Sequence, residues 1–214
     1  MDILLSDKEV RVLGSLIEKE LSTPDYYPLS VNALTNACNQ KSSRDPVVSY
    51  DEQTVLGIVD GLEQKGLVHK SRVGRTPKVE ERFTHEQNFV PRESAVLCVL
   101  MLRGPQTVGE IRGRTARLFS FESLEAVHET LDHLEEYGFV GRLTRQLGRK
   151  EARCIHLLCG EPEMAEEEET VPVAGHGVPM ESQRIEKVQQ DIETLRNDLE
   201  KLKREFQDFK NKFE

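Results

Sequence analysis

The sequence predicts a mainly α-helical fold with small β-hairpins, arranged as two tandem winged-helix domains plus a C-terminal coiled-coil helix. Three observations carry that prediction. An order of three helices followed by a hairpin can be read twice along the chain. A short string near the end of the first set returns in the second. An unbroken heptad stripe then runs from Ile185 to Phe213.

The first helix opens at Ser6 and Glu9, an S-x-x-E capping box in which each side chain meets the other's orphan backbone N–H. Leu5 and Val10 stand where a hydrophobic staple places them. Val10, Leu13, Leu16 and Ile17 form one apolar face at helical spacing. Ser30 opens a shorter helix with Leu34 and Ala37 inward. A polar stretch, Asn39 to Asp45, follows. Ser49 and Glu52 read as a second capping box, and Val55, Ile58, Val59 and Leu62 as the buried stripe of a third helix. Gly66 is its stop, because glycine tolerates a left-handed backbone. The pattern then becomes strand-like from Leu67 to Val73 and from Val79 to Thr84, around a Gly- and Pro-containing loop.

The second set begins with an apolar helix from Glu93 to Leu102. Thr107 and Glu110 form a further capping box, opening a helix with Val108 and Ile111 inward. Ser123 to Tyr137 carries Leu124, Val127, Leu131 and Leu134. Gly138 ends it, and strands are expected from Phe139 to Leu143 and from Ala152 to Leu158. DGLEQKGLV at 60–68 lies over DHLEEYGFV at 132–140 with five of nine positions identical, which marks an internal repeat. The expected domains are therefore 1–88 and 89–160.

Residues 161–181 hold the acidic run Glu166–Glu169 together with prolines and glycines, and read as an acidic disordered linker. Residues 182–214 read as a parallel coiled coil. Ile185, Val188, Ile192, Leu195, Leu199, Leu202, Phe206, Phe209 and Phe213 alternate three and four apart, the a/d spacing of a seam between helices. The g positions Asp191, Asp198 and Glu205 are acidic, and the following e positions Arg196, Lys203 and Lys210 are basic. A parallel pair brings each g opposite the partner's e, whereas an antiparallel pair opposes like charges. The expected partner is a second copy of the chain. The alternative is that this helix folds back on its own domains.

Composition narrows the function classes. The longest apolar run, Ala95 to Leu102, is far short of the ~20 residues that cross a bilayer. No membrane partner and a cytoplasmic setting are expected. Cys38, Cys98, Cys154 and Cys159 form no CxxC pair and read as small buried hydrophobes rather than disulfides. Searching for nucleophile-elbow, P-loop, dinucleotide and HExxH patterns finds none, so no catalytic residue and no cofactor is assigned. Cys154, His156 and Cys159 lack a fourth ligand, and no metal is assigned.

Net charge is −9, yet residues 161–214 alone carry 8 basic and 15 acidic residues, so most of the acidity lies outside the repeats. Within the repeats the basic residues gather in the hairpins: Lys70, Arg72, Arg75 and Lys78 in the first, Arg142, Arg145, Arg149 and Lys150 in the second. Lys41 and Arg44 sit among Asn39, Gln40, Ser42 and Ser43, a mixture suited to phosphates and base edges. Arg112, Arg114 and Arg117 add charge after the second repeat's second helix. The third helices oppose this reading. Asp51, Glu52, Asp60 and Glu63 in one, and Glu122, Glu125, Glu129, Asp132, Glu135 and Glu136 in the other, would repel phosphate if turned toward it.

Four strings, NACNQKSSRDPV at 36–47, SRVGRTPKVEERF at 71–83, AVLCVLMLRGPQTVGEIRGRT at 95–115 and GRKEARCIHLL at 148–158, carry a resemblance to the bacterial YceH family. The resemblance implies tandem winged helices, a bacterial cytosolic setting and no known enzymatic activity, and supplies no binding residues. Two partner readings stand together. The leading one is a dimeric, DNA-associating and transcription-regulatory protein using Lys41, Arg44 and the hairpin bases. The alternative is a protein-interaction scaffold built from acidic winged helices, by analogy of fold with ScpB-type proteins.

Overall fold

A computed structural model of the chain describes residues 3–71, 76–143 and 151–160. The expectations for 161–181 and 182–214 lie outside the described residues. What is described is a mainly α-helical fold with small antiparallel sheets.

Helix α1, Asp7–Ser22, starts as its sequence demands: Ser6 N donates to Glu9 Oε2 at 2.8 Å, and Ser6 Oγ accepts from Glu9 N. A 3₁₀ turn, Pro24–Tyr26, leads to β1, Leu29–Ser30, and α2, Val31–Cys38, capped by Ser30. Helix α3, Glu52–Gln64, is capped by Asp51 and not by the expected Ser49–Glu52 box. Asp51 Oδ1 accepts from Thr54 N at 2.7 Å, and a carboxylate there also meets the positive end of the helix dipole. Glu52 is already the first helical residue, and its carboxylate accepts from Asn32 Nδ2 instead.

Gly66, with φ of 74°, turns the chain into β2, Val68–Ser71, which pairs with β3, Lys78–Glu81. β1 pairs with β3 on its other edge, Leu29 opposite Val79, giving the order β1-β3-β2. A one-turn helix, α4, Phe83–Glu86, stands where the sequence suggested a strand running to Thr84. Both β1 and α4 are too short to show periodicity, which is why pattern reading misses them.

The second half repeats the sequence of elements. Helix α5, Pro91–Arg103, is followed by α6, Val108–Thr115, with its Thr107–Glu110 capping box in place. Helix α7, Leu124–Glu136, is capped by Ser123 and ended by Gly138 at φ 73°. β4, Val140–Arg142, pairs with β5, Cys154–His156. Gln106 bridges Cys154 as Leu29 pairs with Val79 in the first half, so the small third strand recurs as a single bridge.

Both halves feed one continuous buried cluster. Its centre is the contact of α1 with α5. Every residue of α5 from Glu93 to Leu102 is buried, which explains an apolar run without amphipathic alternation: a helix covered on all sides needs no polar face. Gly14 makes the approach possible, since a Cβ there would lie 3.1 Å from Met101 and Leu102 side-chain atoms. Phe83, Phe89 and Phe139 meet edge to face with centroids 4.7 to 5.8 Å apart, joining the end of the first half to the second hairpin. Cys38, Cys98 and Cys154 are buried, as expected, whereas Cys159, expected to be buried with them, is exposed.

Candidate nucleic-acid interface

The polar stretch after α2 is a built loop. Asn39 Nδ2 donates to Tyr50 O and Tyr50 N donates to Asn39 Oδ1, closing its ends. Arg44, read from the sequence as a phosphate contact, is buried at its core. Its side chain is 0% exposed and donates to both oxygens of Glu18 at 2.9 and 2.6 Å and to Ala37 O at 2.9 Å. A guanidinium closed in this way is unavailable to a ligand; it fixes the loop to α1. Burial pushes the Glu18 carboxyl upward, but the hydrogen bonds and charge of Arg44, with Lys19 adding to them, outweigh it and hold Glu18 below its ordinary value. Asp45 N donates to Leu102 O, tying the same loop to α5. Lys41 and Ser42 are left exposed at its tip.

The hairpin bases divide into two kinds. Lys70 lies on the acids of α3: its Nζ is 2.9 Å from Glu63 Oε2 and also pairs with Asp60. Arg142 lies on the acids of α7: its Nε is 3.2 Å from Glu135 Oε2, and it pairs with Asp132. Asp60, Glu63 and Lys70 recur as Asp132, Glu135 and Arg142, each 72 residues on, so the repeat carries a duplicated charge clamp. Each clamp sets one cation against two acids of the third helix, offsetting part of their charge. Lys78, at the start of β3, is exposed. Arg72, Arg75, Arg145, Arg149 and Lys150 lie outside the described residues.

A second concentration of positive charge lies away from the hairpins. A cleft of about 530 Å³ is walled by the ends of α1, α5 and α6 and by the loop at 40–43. It brings Lys41 together with Lys19, Arg103, Arg114 and Arg117. Sequence reading found Lys41, Arg114 and Arg117 but not their meeting, because the loop and α6 are distant in the chain.

Another grouping escaped the sequence. Glu20 of α1, Glu81 of β3 and His85 of α4 place ligand-type atoms within 4.8 Å of one another. His85 Nε2 lies 3.0 Å from Glu20 Oε1, and the buried Glu81 accepts from Thr84 N at 2.9 Å. Burial raises the Glu81 carboxyl to about 7, with Glu20 adding to the effect of burial against the Thr84 donors. Protonated His85 offsets that crowding of acids, and its affinity for the proton is raised by Glu20. Cys154, His156 and Cys159, weighed from the sequence and not assigned a metal, join no such group among the described residues.

No helix among the described residues is long and apolar enough to cross a membrane. A family model described as "Protein of unknown function, DUF480" matches residues 5–149. A UPF0502 protein of Solibacter usitatus is 58% identical over 168 residues, covering 78% of this chain and 82% of its own. A UPF0502 protein of Geotalea daltonii is 50% identical over 189 residues, covering 86% and 87%. One of Opitutus terrae is 52% identical over 162 residues, covering 73% and 70%. On a model covering most of the repeats and relatives of this identity, the chain belongs to the bacterial DUF480/UPF0502 family.

Proposed function

We propose that this chain is a tandem winged-helix protein of the YceH type that associates with DNA through the phosphate backbone, as a dimer held by its C-terminal heptads. The winged-helix reading is supported by the twofold order of three helices and a hairpin, with a third strand or bridge beside each hairpin.

The observation that carries the DNA reading is the duplicated clamp. Residues 70–78 and 142–150 each contain four basic residues and no acidic one. In each, the first base is committed to the third helix, where it offsets part of the charge of two acids that would repel phosphate beside the hairpin. Three further bases per hairpin follow: Arg72, Arg75 and Lys78, then Arg145, Arg149 and Lys150. Lys41 adds one more from the α2–α3 loop, whereas Arg44 is withdrawn from the interface. The remaining acids of α3 and α7 disfavour base reading by those helices, so contacts to phosphates without strong sequence preference are expected. Two chains joined by the heptads double the number of hairpins, and effective concentration strengthens contacts that are individually weak.

The test is duplex binding by fluorescence anisotropy across a salt series, with the intact chain and an Arg72/Arg75/Arg145/Arg149→Glu variant. Backbone binding through about six cations loses on the order of 10³ in affinity between 50 and 200 mM salt, and the variant loses binding. No binding at low salt overturns the reading.

One observation favours a second reading, protein docking. Helix α3 exposes Leu56 beside a largely apolar groove formed with Val31, Pro77 and Val79. Under that reading the quadruple variant is without effect and Leu56→Asp abolishes partner capture.

A further inference from the structure

We propose that the cleft between α1, α5, α6 and the 40–43 loop is a binding site for a phosphorylated ligand, with a nucleoside polyphosphate as its chemical class. The site is separate from the hairpins, shares only Lys41 with the DNA reading and does not depend on that reading.

Charge makes the first part of the case. Lys19, Lys41, Arg103, Arg114 and Arg117 line the cleft, and Glu18 is the sole acid among its lining residues. Glu18 is held by the buried Arg44 on both oxygens, so it does little to offset the others. Arg114 shares itself between Gln106 and Glu110, the latter 3.4 Å away. The side chains of Arg103, Lys41 and Arg117 have no carboxylate partner among the described residues. Cations commonly gather at helix C-termini to meet the dipole, and α1, α5 and α6 all end here. Three helix ends supply about −0.5 charge each, which five cations exceed severalfold. A surplus of roughly three positive charges remains, suited to several phosphate charges rather than one carboxylate.

Arg103 sharpens the point. It is half-buried, and burial together with the neighbouring Arg114 disfavours its charged form. Two guanidiniums brought together in a cleft, one of them with no carboxylate in salt-bridge contact and only the more distant fields of Glu18 and Asp45 beside it, are in the arrangement that an incoming polyanion relieves.

Shape and chemistry of the walls supply the rest. Gln40, Ser42 and Ser43 offer hydrogen-bonding groups along one side, while Val99, Leu102 and Leu118 give apolar surface on the other. The volume falls within the ~300–1,000 Å³ typical of small-ligand sites. The loop wall is preset by Arg44 and by the Asp45–Leu102 hydrogen bond, so little ordering is left for the ligand to cause. Two of the strings that carry the family resemblance, 36–47 and 95–115, meet here.

The phosphate groups could come from a free nucleotide or from the phosphorylated end of a nucleic-acid strand, and the experiment separates them. Calorimetric titration of the full chain uses ATP, inorganic tripolyphosphate and a short 5′-phosphorylated single strand. We expect saturable binding that weakens at least about tenfold in an Arg103→Gln/Arg117→Gln variant, the loss of two charge-assisted contacts. The hairpin variant Arg72/Arg75/Arg145/Arg149→Glu binds ATP and tripolyphosphate as the intact chain does, which separates failure of this site from failure of the DNA reading. Tighter binding of ATP assigns a free nucleotide, and tighter binding of the strand with the same sensitivity assigns a strand end to the same cleft. Lys41→Gln, on the exposed loop, serves where the double variant folds poorly, with a severalfold loss expected. Absence of binding by all three probes at millimolar concentration overturns the proposal. So does undiminished binding by the double variant with an unaltered melting curve.

Discussion

Arg44 donates to both oxygens of Glu18 and to the Ala37 carbonyl, with its own side chain fully covered. Removing it leaves Glu18 as a largely buried carboxylate whose bidentate partner is gone, since Lys19 reaches it only at 3.6 Å. Arg44→Met, which keeps the stem and deletes the charge, is expected to cost about 3 kcal/mol in urea unfolding. A variant of near-native stability with weakened DNA binding would instead make Arg44 a surface contact. Glu81 makes a prediction of the opposite kind. Its folded value of about 7 stands above the ordinary 4.5, because burial and the nearby Glu20 oppose its charge. Between those values the native state keeps a proton that the unfolded chain has released, so the contribution of Glu81 falls as pH rises. His85, raised by Glu20, acts in the same direction: its stabilisation is present at low pH and is lost as pH rises through the folded value. His156, lowered to about 4 by burial, acts oppositely, its contribution growing as pH rises from about 4 toward 6.5. The Glu81 part is isolated by difference. Glu81→Gln should gain on the native chain by about 2 kcal/mol between pH 5 and 8, read from unfolding curves at each pH. A flat difference would mean that Glu81 is already ionised at pH 5.

Among the elements, the helix starts show how far local rules reach. The boxes at Ser6–Glu9 and Thr107–Glu110 were legible because both partners lie within four residues of each other. The start of α3 was misplaced because two candidate caps, Ser49 and Asp51, stand close together and the pattern alone prefers the one that has a glutamate three residues on. The structure chooses Asp51, whose carboxylate reaches Thr54 N, while Glu52 turns to Asn32 on α2. Asp51→Ala is therefore expected to lower the melting temperature, and Ser49→Ala to leave it unchanged, in parallel thermal scans. The reverse order would restore the earlier box. The hairpins carry the same lesson for charge. Lys70 and Arg142 look like members of a basic run, yet each sits on the third helix ten residues before it. Exposed pairs of this kind contribute no more than about 1 kcal/mol each, so their importance lies in the field around the hairpin rather than in stability.

At the scale of the whole molecule, two readings meet different tests. The heptads from Ile185 to Phe213 predict that the intact chain sediments as a dimer and that a chain ending at Gly160 sediments as a monomer. A truncated chain that stays dimeric would place the contact within the repeats. Apolar periodicity, capping residues and the two stop glycines at 66 and 138 were enough to lay out the six longer helices and the hairpin strands, though not the short β1 and α4, because each signal is local in the chain. The internal repeat was equally legible, since it is written in letters. What only the tertiary structure decided is which charges remain free. Arg44 is taken up by Glu18, 26 residues earlier in the chain, and Arg103 comes to line one cleft with Lys41 and Arg117. Charge interactions act across space rather than along the backbone, so the meaning of a basic residue depends on neighbours that only the packing of α1 on α5 brings near.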